Sequence, residues 1–446
     1  MKISKKIIVP IVALCLVATT TACGSKTTNS TTTNSTTSNK LENSSDGEHV
    51  ITVDGTTENY SNTEVIKTGD SDGDEADFYG ENAAIFATNK GTLDMSDMTI
   101  NTNGTHANAV FSYGEGTTVN ISNSRITTSG NCSGALMTTG GGTMNATNVT
   151  AETSGNSSAT IRSDRGGGTV TVNGGNYKTS GKGSPTIYST ADITVNNSQL
   201  ESTASQGVVV EGKNSVTLNN TNLIANNNTK NSNKSEYYQA VMIYQSMSGD
   251  ASEGTSSFTM NGGSLTNQNG DIFFVNNTSS DISLNGASIT NNDANGVFLR
   301  AAAAGWGTSG SNGGNVNLRA TNQTINGNMI VDSISSLNLY MSDNSTFTGA
   351  INPDGQSGNV YVELGNGSTW TLTADSYVSS LTCDANSINL NGHTLYVNGV
   401  PYSANTASVG NAITISKDSS SGSKDASSGN KDSSQKPSTS HSKKKN

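Results

Sequence analysis

Short apolar runs recur along the chain at a spacing of about 25 residues. They begin at Ala83, Asn108, Gly134, Ala159, Pro185, Gly207, Ala240, Asp271 and Asn295. The third residue of each run is apolar: Ile85, Val110, Leu136, Ile161, Ile187, Val209, Met242, Phe273 and Phe298. A second run follows about ten residues later in the compact copies, alternates apolar with polar, and ends in Asn-Gly or Asn-Asn. Its asparagines are Asn173, Asn196, Asn219, Asn261 and Asn285. A third apolar point comes next, at Ile100, Ile126, Tyr177, Leu200, Leu223, Leu265 and Ile289. Period-two alternation closed by Asn or Gly predicts strands ending in turns. Three short strands per repeat, with no helical stretch between them, predict one coil of a parallel β-helix. The fold class is therefore all-β: a single-stranded solenoid of about 12–14 coils, roughly 60 Å long at one strand spacing per coil. A leucine-rich repeat orders its apolar residues differently, and a propeller blade needs about 40 residues and four strands.

Composition agrees once the repeat is seen. Only 31% of the 446 residues are hydrophobic and 13% charged, while glycine alone numbers 48. That excludes a helical bundle, because Gly, Asn, Ser and Thr form helices poorly. In a solenoid each coil turns few residues inward, and the repeated asparagine suits a left-handed turn and an amide ladder. A net charge of -11 excludes nucleic acid as a partner.

The repeat occupies 48–416. Residues 1–22 read as a signal segment, with Lys2, Lys5 and Lys6 before an apolar run from Ile7 to Ala18. That run is too short for a stable membrane span. Residues 23–47 read as a Ser/Thr/Asn tether and 417–446 as a disordered Ser/Lys-rich tail. The tail carries seven Lys against three Asp, a charge that suits anionic wall polymers or lipid headgroups. The sequence Thr20-Thr21-Ala22-Cys23 resembles a bacterial lipoprotein signal, although Thr20 stands where that family prefers Leu. The resemblance implies lipidation of Cys23, export, and a lipid bilayer partner at the cell surface. The other reading is an ordinary secretory signal in which Cys23 is incidental. Cys132 and Cys383 fall too far apart in the stack for a disulfide, and both are read as small buried residues.

The repeat over about 50–400 resembles the pectin-lyase-like right-handed β-helices, and among them bacterial surface proteins. The segments 368–373 and 388–395 look like the end of an autotransporter passenger. The resemblance implies a right-handed coil and an adhesin-like role. An enzyme on this fold would be a polysaccharide lyase or hydrolase. The lyases use Arg or Lys as base beside calcium-binding acids, which Arg162, Asp164 and Arg165 match by residue type. The bland reading of those three is a surface Arg-Asp-Arg salt bridge. Asp164 and Glu211 are the strand acids nearest to a catalytic pair, but the repeat places them one register position apart and facing opposite ways. No Gly-His-Gly of the hydrolase kind occurs.

Two further places invite chemistry. Asp70, Asp72, Asp74, Asp77 and Glu81 follow an EF-hand-like spacing that would suit calcium, with Glu75 where Gly is expected. A solvated acidic loop is the alternative. The repeat also lengthens between Met242 and Met260 and between Phe298 and Leu318. Both insertions leave the same turn, two coils apart with one short-turn coil between them, and are expected to flank a gap of roughly 10 Å. Tyr244, Gln245, Asp250 and Glu253 belong to the first, Arg300 and Trp306 to the second. A third insertion, near Tyr237 and Tyr238, leaves a different turn. An exposed Trp306 beside polar groups would stack on sugar. The expected role is non-enzymatic binding of polysaccharide, a cell-wall polymer or another surface partner. The alternatives are a calcium-assisted lyase and a purely structural envelope component.

Overall fold

The computed structural model describes residues 39–415, apart from 74, 356 and 357. The chain is a parallel β-helix. One coil runs through strands Ile85–Thr88, Thr92–Ser96 and Thr99–Thr102, and the next repeats them as Val110–Tyr113, Thr118–Ser122 and Arg125–Thr128. Each strand pairs in parallel with its equivalents on the neighbouring coils, so that Ile85, Val110, Leu136 and Ile161 form one row. The first strand positions build an 11-stranded sheet from Ile51–Asp54 to Met329–Val331, called here the outer-site sheet. The second and third positions build a sheet of 21 strands. Further coils pass through Asn359–Leu364 and through Ser376–Val378 and Ser380–Cys383, and the antiparallel pair Leu395–Val397 and Val400–Pro401 closes the stack.

The ordered stack starts earlier than the repeat suggests. Strand Asn39–Asn43 pairs with Thr63–Lys67, inside the stretch expected to be tether. The expected signal segment, Cys23 and the tail 417–446 lie outside the described residues.

The repeated asparagines do form a ladder. Each amide donates to the carbonyl oxygen of its counterpart one coil before: Asn196 to Asn173 at 2.9 Å, Asn219 to Asn196 and Asn261 to Asn219 at 2.8 Å, and Asn285 to Asn261 at 2.5 Å. The left-handed backbone belongs to the following residue, Gly174, Asn197, Asn220, Gly262 or Gly286. Two consecutive positions thus divide two tasks, which is why the turn reads Asn-Gly or Asn-Asn.

One register expectation fails. The inward row continues from Ile187 to Val208, Val241, Phe273 and Leu299, and not through Val209, Met242 and Phe298. In Val208-Val209-Val210 three identical side chains hide which one turns inward. Val209 and Met242 instead face outward, in a second apolar cluster outside the main core.

At another turn the coils approach so closely that only glycine fits. A Cβ on Gly130 would lie 1.8 Å from the carbonyl oxygen of Gly104, and Gly155 and Gly181 meet the preceding glycine at the same distance. The obstacle is backbone and cannot swing away. Gly130→Ala is therefore expected to destabilise the fold by about 1–3 kcal/mol through overpacking, read as a lower denaturation midpoint in urea.

Candidate functional site

The outward face of the 11-stranded sheet carries one continuous row: Phe86, Phe111, Met137, Arg162, Tyr188, Val209, Met242, Phe274 and Arg300. Both flanks are apolar and covered. Phe111 and Met137 pack with Ala83, Phe86 and Tyr113. Val209, Met242 and Phe274 pack with Tyr244 and Ala302, and Tyr237 and Trp306 lie against them. Arg162 and Tyr188 sit where the two covers stop. The break is a cleft of about 420 Å³, within the range of ligand sites.

One wall is the short helix Glu75–Tyr79, inserted between the first two coils of the sheet. Gly80 ends it with a left-handed φ, its N–H donating to Ala76 O at 2.9 Å. The Thr139 hydroxyl donates to Phe78 O at 2.6 Å and ties the helix to the sheet. The helix delivers Asp77, which is buried. Arg162 Nη2 donates to Asp77 Oδ2 at 2.9 Å and to Asp164 Oδ2 at 2.8 Å. The other Asp77 oxygen lies 3.1 Å from His106 Nδ1.

These groups set each other's charge. Burial pushes the Asp77 carboxyl up, but the Arg162 charge and the His106 hydrogen bond outweigh it and hold it below the usual carboxylate range. For Asp164 burial prevails over Arg162 and pushes the pKa up to about 6. Burial also opposes the charge on Arg162, yet its two carboxylates win and hold it protonated.

The opposite wall comes from the insertions. Arg165 Nε donates to Asp250 Oδ1 at 2.9 Å, and its guanidinium lies 3.9 Å from the centre of the Phe78 ring. Asn231 and Ser248 complete that rim. Beneath it, Tyr188 and Tyr244 both donate to Glu211 Oε2, Tyr244 at 3.1 Å, and Ser246 donates to Oε1. Burial raises both tyrosine pKa values well above normal.

Several expectations need correction. Asp164 and Glu211 are in phase: Arg162, Tyr188 and Val209 form one row, and each acid follows that row by two residues. Arg162 is not part of a surface Arg-Asp-Arg bridge; it is half-buried between Asp77 and Asp164 while Arg165 reaches Asp250. The described acids of the acidic stretch point to different places. Asp77 turns into the helix, Asp70 Oδ1 accepts from the Thr105 N–H at 2.7 Å, and Asp72 and Glu81 are exposed. Among the described residues those acids form no metal-sized group, and Asp74 lies outside them.

The two long loops leave the same turn, as the spacing requires, but no open gap separates them. Trp306 is half-buried, edge-on to Tyr244 at 5.2 Å between ring centres. Gln245 is buried and donates to Ala251 O, and Arg300 is held by Asp271 at 2.6 Å and lies over Tyr237. Glu253 is exposed. Of the six loop candidates, only Asp250 lines the cleft.

The sequence reading missed Asp77, His106 and Cys132 as one group. Their donor atoms all lie within 4.8 Å of one another. His106, Cys132, Ser157 and Gly183 stack on successive coils at one turn position, with φ of 55°, 53°, 54° and 63°. Cys132 is half-buried there and not in the core. A left-handed backbone costs a residue with a Cβ about 1–2 kcal/mol, and Asn or Gly is the usual occupant. His and Cys at such a position were the available signal.

Asp164 gives a pH dependence with a defined sign. Its folded pKa is raised, so between about pH 4 and 6 the native state binds more protons than the unfolded state, and stability falls as pH rises. Across that window wild type is expected to lose on the order of 2 kcal/mol relative to Asp164→Asn, measured by urea unfolding of both proteins.

No family model, curated protein or solved structure matches this chain.

Proposed function

We propose that this chain is an exported, lipid-anchored surface protein whose β-helix binds saccharide in the cleft at Arg162. The cleft's composition carries the reading: Phe78 and Tyr188 offer ring surface, and Asp77, Arg162, Asp164, Arg165, Asp250, Asn231 and Ser157 offer fixed polar groups around it. Aromatic faces beside preorganised donors and acceptors are what a sugar ring requires. The anchoring rests on the basic, apolar and small-residue order that ends at Cys23.

Charge narrows the ligand. Two arginines face three carboxylates in the lining, and each guanidinium is already engaged by a carboxylate. A uronate polymer would find no uncompensated cation. Neutral or amine-bearing sugars fit better.

Catalysis fits less well. Arg162, held protonated between two carboxylates, is unsuited to act as a lyase base. Asp164 and Glu211 share a row, two coils and so roughly 9.6 Å apart, near the separation of an inverting carboxylate pair. Glu211 is nevertheless fully buried beneath Tyr188, Tyr244 and Ser246, away from any substrate.

A glycan-array screen of the full chain, with and without calcium, tests the reading. Binding of neutral or amino sugars in preference to uronates is expected. Asp250→Ala, which releases Arg165 at the rim, is expected to lower affinity about ten-fold, or 1.4 kcal/mol, with thermal unfolding unchanged. The proposal fails if no saccharide binds, or if the protein cleaves uronate polymers and Arg162→Ala abolishes the cleavage.

A further inference from the structure

The geometry points to a divalent transition-metal site, of zinc type, formed by Asp77, His106 and Cys132. It does not depend on the saccharide reading, because its readout is the metal alone.

The first support is position. His106 and Cys132 occupy the same left-handed turn position on adjacent coils, so their side chains leave the stack side by side. Their backbones are fixed by the ladder, in which the His106 N–H donates to Asn131 O at 2.9 Å and the Cys132 N–H to Asn156 O at 2.8 Å. The inserted helix brings Asp77 over the pair. Three donor atoms from three coils or insertions thus fall within 4.8 Å of one another, with Asp77 Oδ1 and His106 Nδ1 already at 3.1 Å. Tetrahedral zinc with oxygen, nitrogen and sulfur ligands needs donor separations of roughly 3.3–3.6 Å. Side-chain rotation alone can supply the difference.

The second support is the donor set. Carboxylate, imidazole and thiolate together suit zinc or cobalt, whereas calcium and magnesium take oxygen ligands. The third is the surrounding hydrogen bonding. Arg162 holds the second Asp77 oxygen at 2.9 Å and is itself held by Asp164, which orients the carboxylate as outer partners of metal ligands do.

Charge balance agrees. With His106 neutral and Cys132 as thiolate, Asp77, Asp164, Cys132 and Arg162 sum to two negative charges, which one divalent cation neutralises. Binding releases the thiol proton to solvent, so affinity falls as pH falls. Asp77 and Cys132 both line the cleft. Three protein ligands leave the fourth position facing it, the arrangement of an exchangeable and not a closed structural site.

The test uses the full chain carrying Cys15→Ser, Cys23→Ser and Cys383→Ser, which leaves Cys132 as its single thiol among four cysteines. After chelation it is titrated with Co(II), then Zn(II). One Co(II) per chain is expected, with thiolate-to-cobalt charge-transfer absorption that Zn(II) abolishes stoichiometrically. Zn(II) is also expected to raise the thermal unfolding midpoint. Cys132→Ser and His106→Asn should each weaken metal binding at least a hundred-fold and remove that stabilisation. Both substitutions suit the backbone: Ser157 holds the same position one coil on, and Asn occupies most of the other left-handed positions that carry a side chain. Absence of the charge-transfer band in the host chain, or its survival in Cys132→Ser, overturns the inference.

Discussion

Everything in this molecule depends on one constraint: each coil must repeat the path of the previous one within a single strand spacing. Parallel pairing fixes that distance at about 4.8 Å, and it puts every residue beside its own equivalent one coil away. Apolar residues then stack into a core of Ile, Val, Leu and Phe. Asparagines stack into an amide ladder, and glycines stack where a Cβ would strike the next backbone. The low hydrophobic content follows, because few residues in each coil face inward.

The same constraint explains where a site can arise. Stacking rewards like on like for apolar and amide side chains but penalises like charges. A charged residue on a sheet face therefore interrupts its row and must be compensated from outside it. Arg162 follows Met137 and precedes Tyr188, and its partner Asp77 comes from a helix that belongs to no strand row. The insertions serve two purposes along this face. Over Val209, Met242 and Phe274 they cover apolar surface, with Trp306 and Tyr237 as part of the cover. At Arg162 they stop short, and the exposed interval is polar, concave and walled.

The fold was almost fully legible. Recurrence of Ile85, Val110, Leu136, Ile161 and Ile187 established the coil, and the alternating runs before Asn-Gly established the second strand. Legibility failed where local pattern is degenerate. Three consecutive valines at 208–210 carry no alternation, so the row slipped by one residue, and the slip separated Asp164 from Glu211 on paper although they share a face. The long loops were correctly assigned to one turn. Their contact across the intervening coil was not, because spacing measures where a loop departs and says nothing of where it folds back.

The sequence by itself determined the class of fold, the asparagine turns and the turn from which the two long loops leave. Those properties are local and repeated, so each copy confirms the others. Only the tertiary structure decided what the insertions do. Asp77 meets Arg162 across 85 residues, and His106 meets Cys132 across a coil. Such meetings depend on the direction in which one short helix returns to the stack. Asp77 is a single instance with no second copy to reveal it, and its acidic spacing pointed to calcium instead. Burial then raised the nearby Asp164 carboxyl above the range of an exposed aspartate.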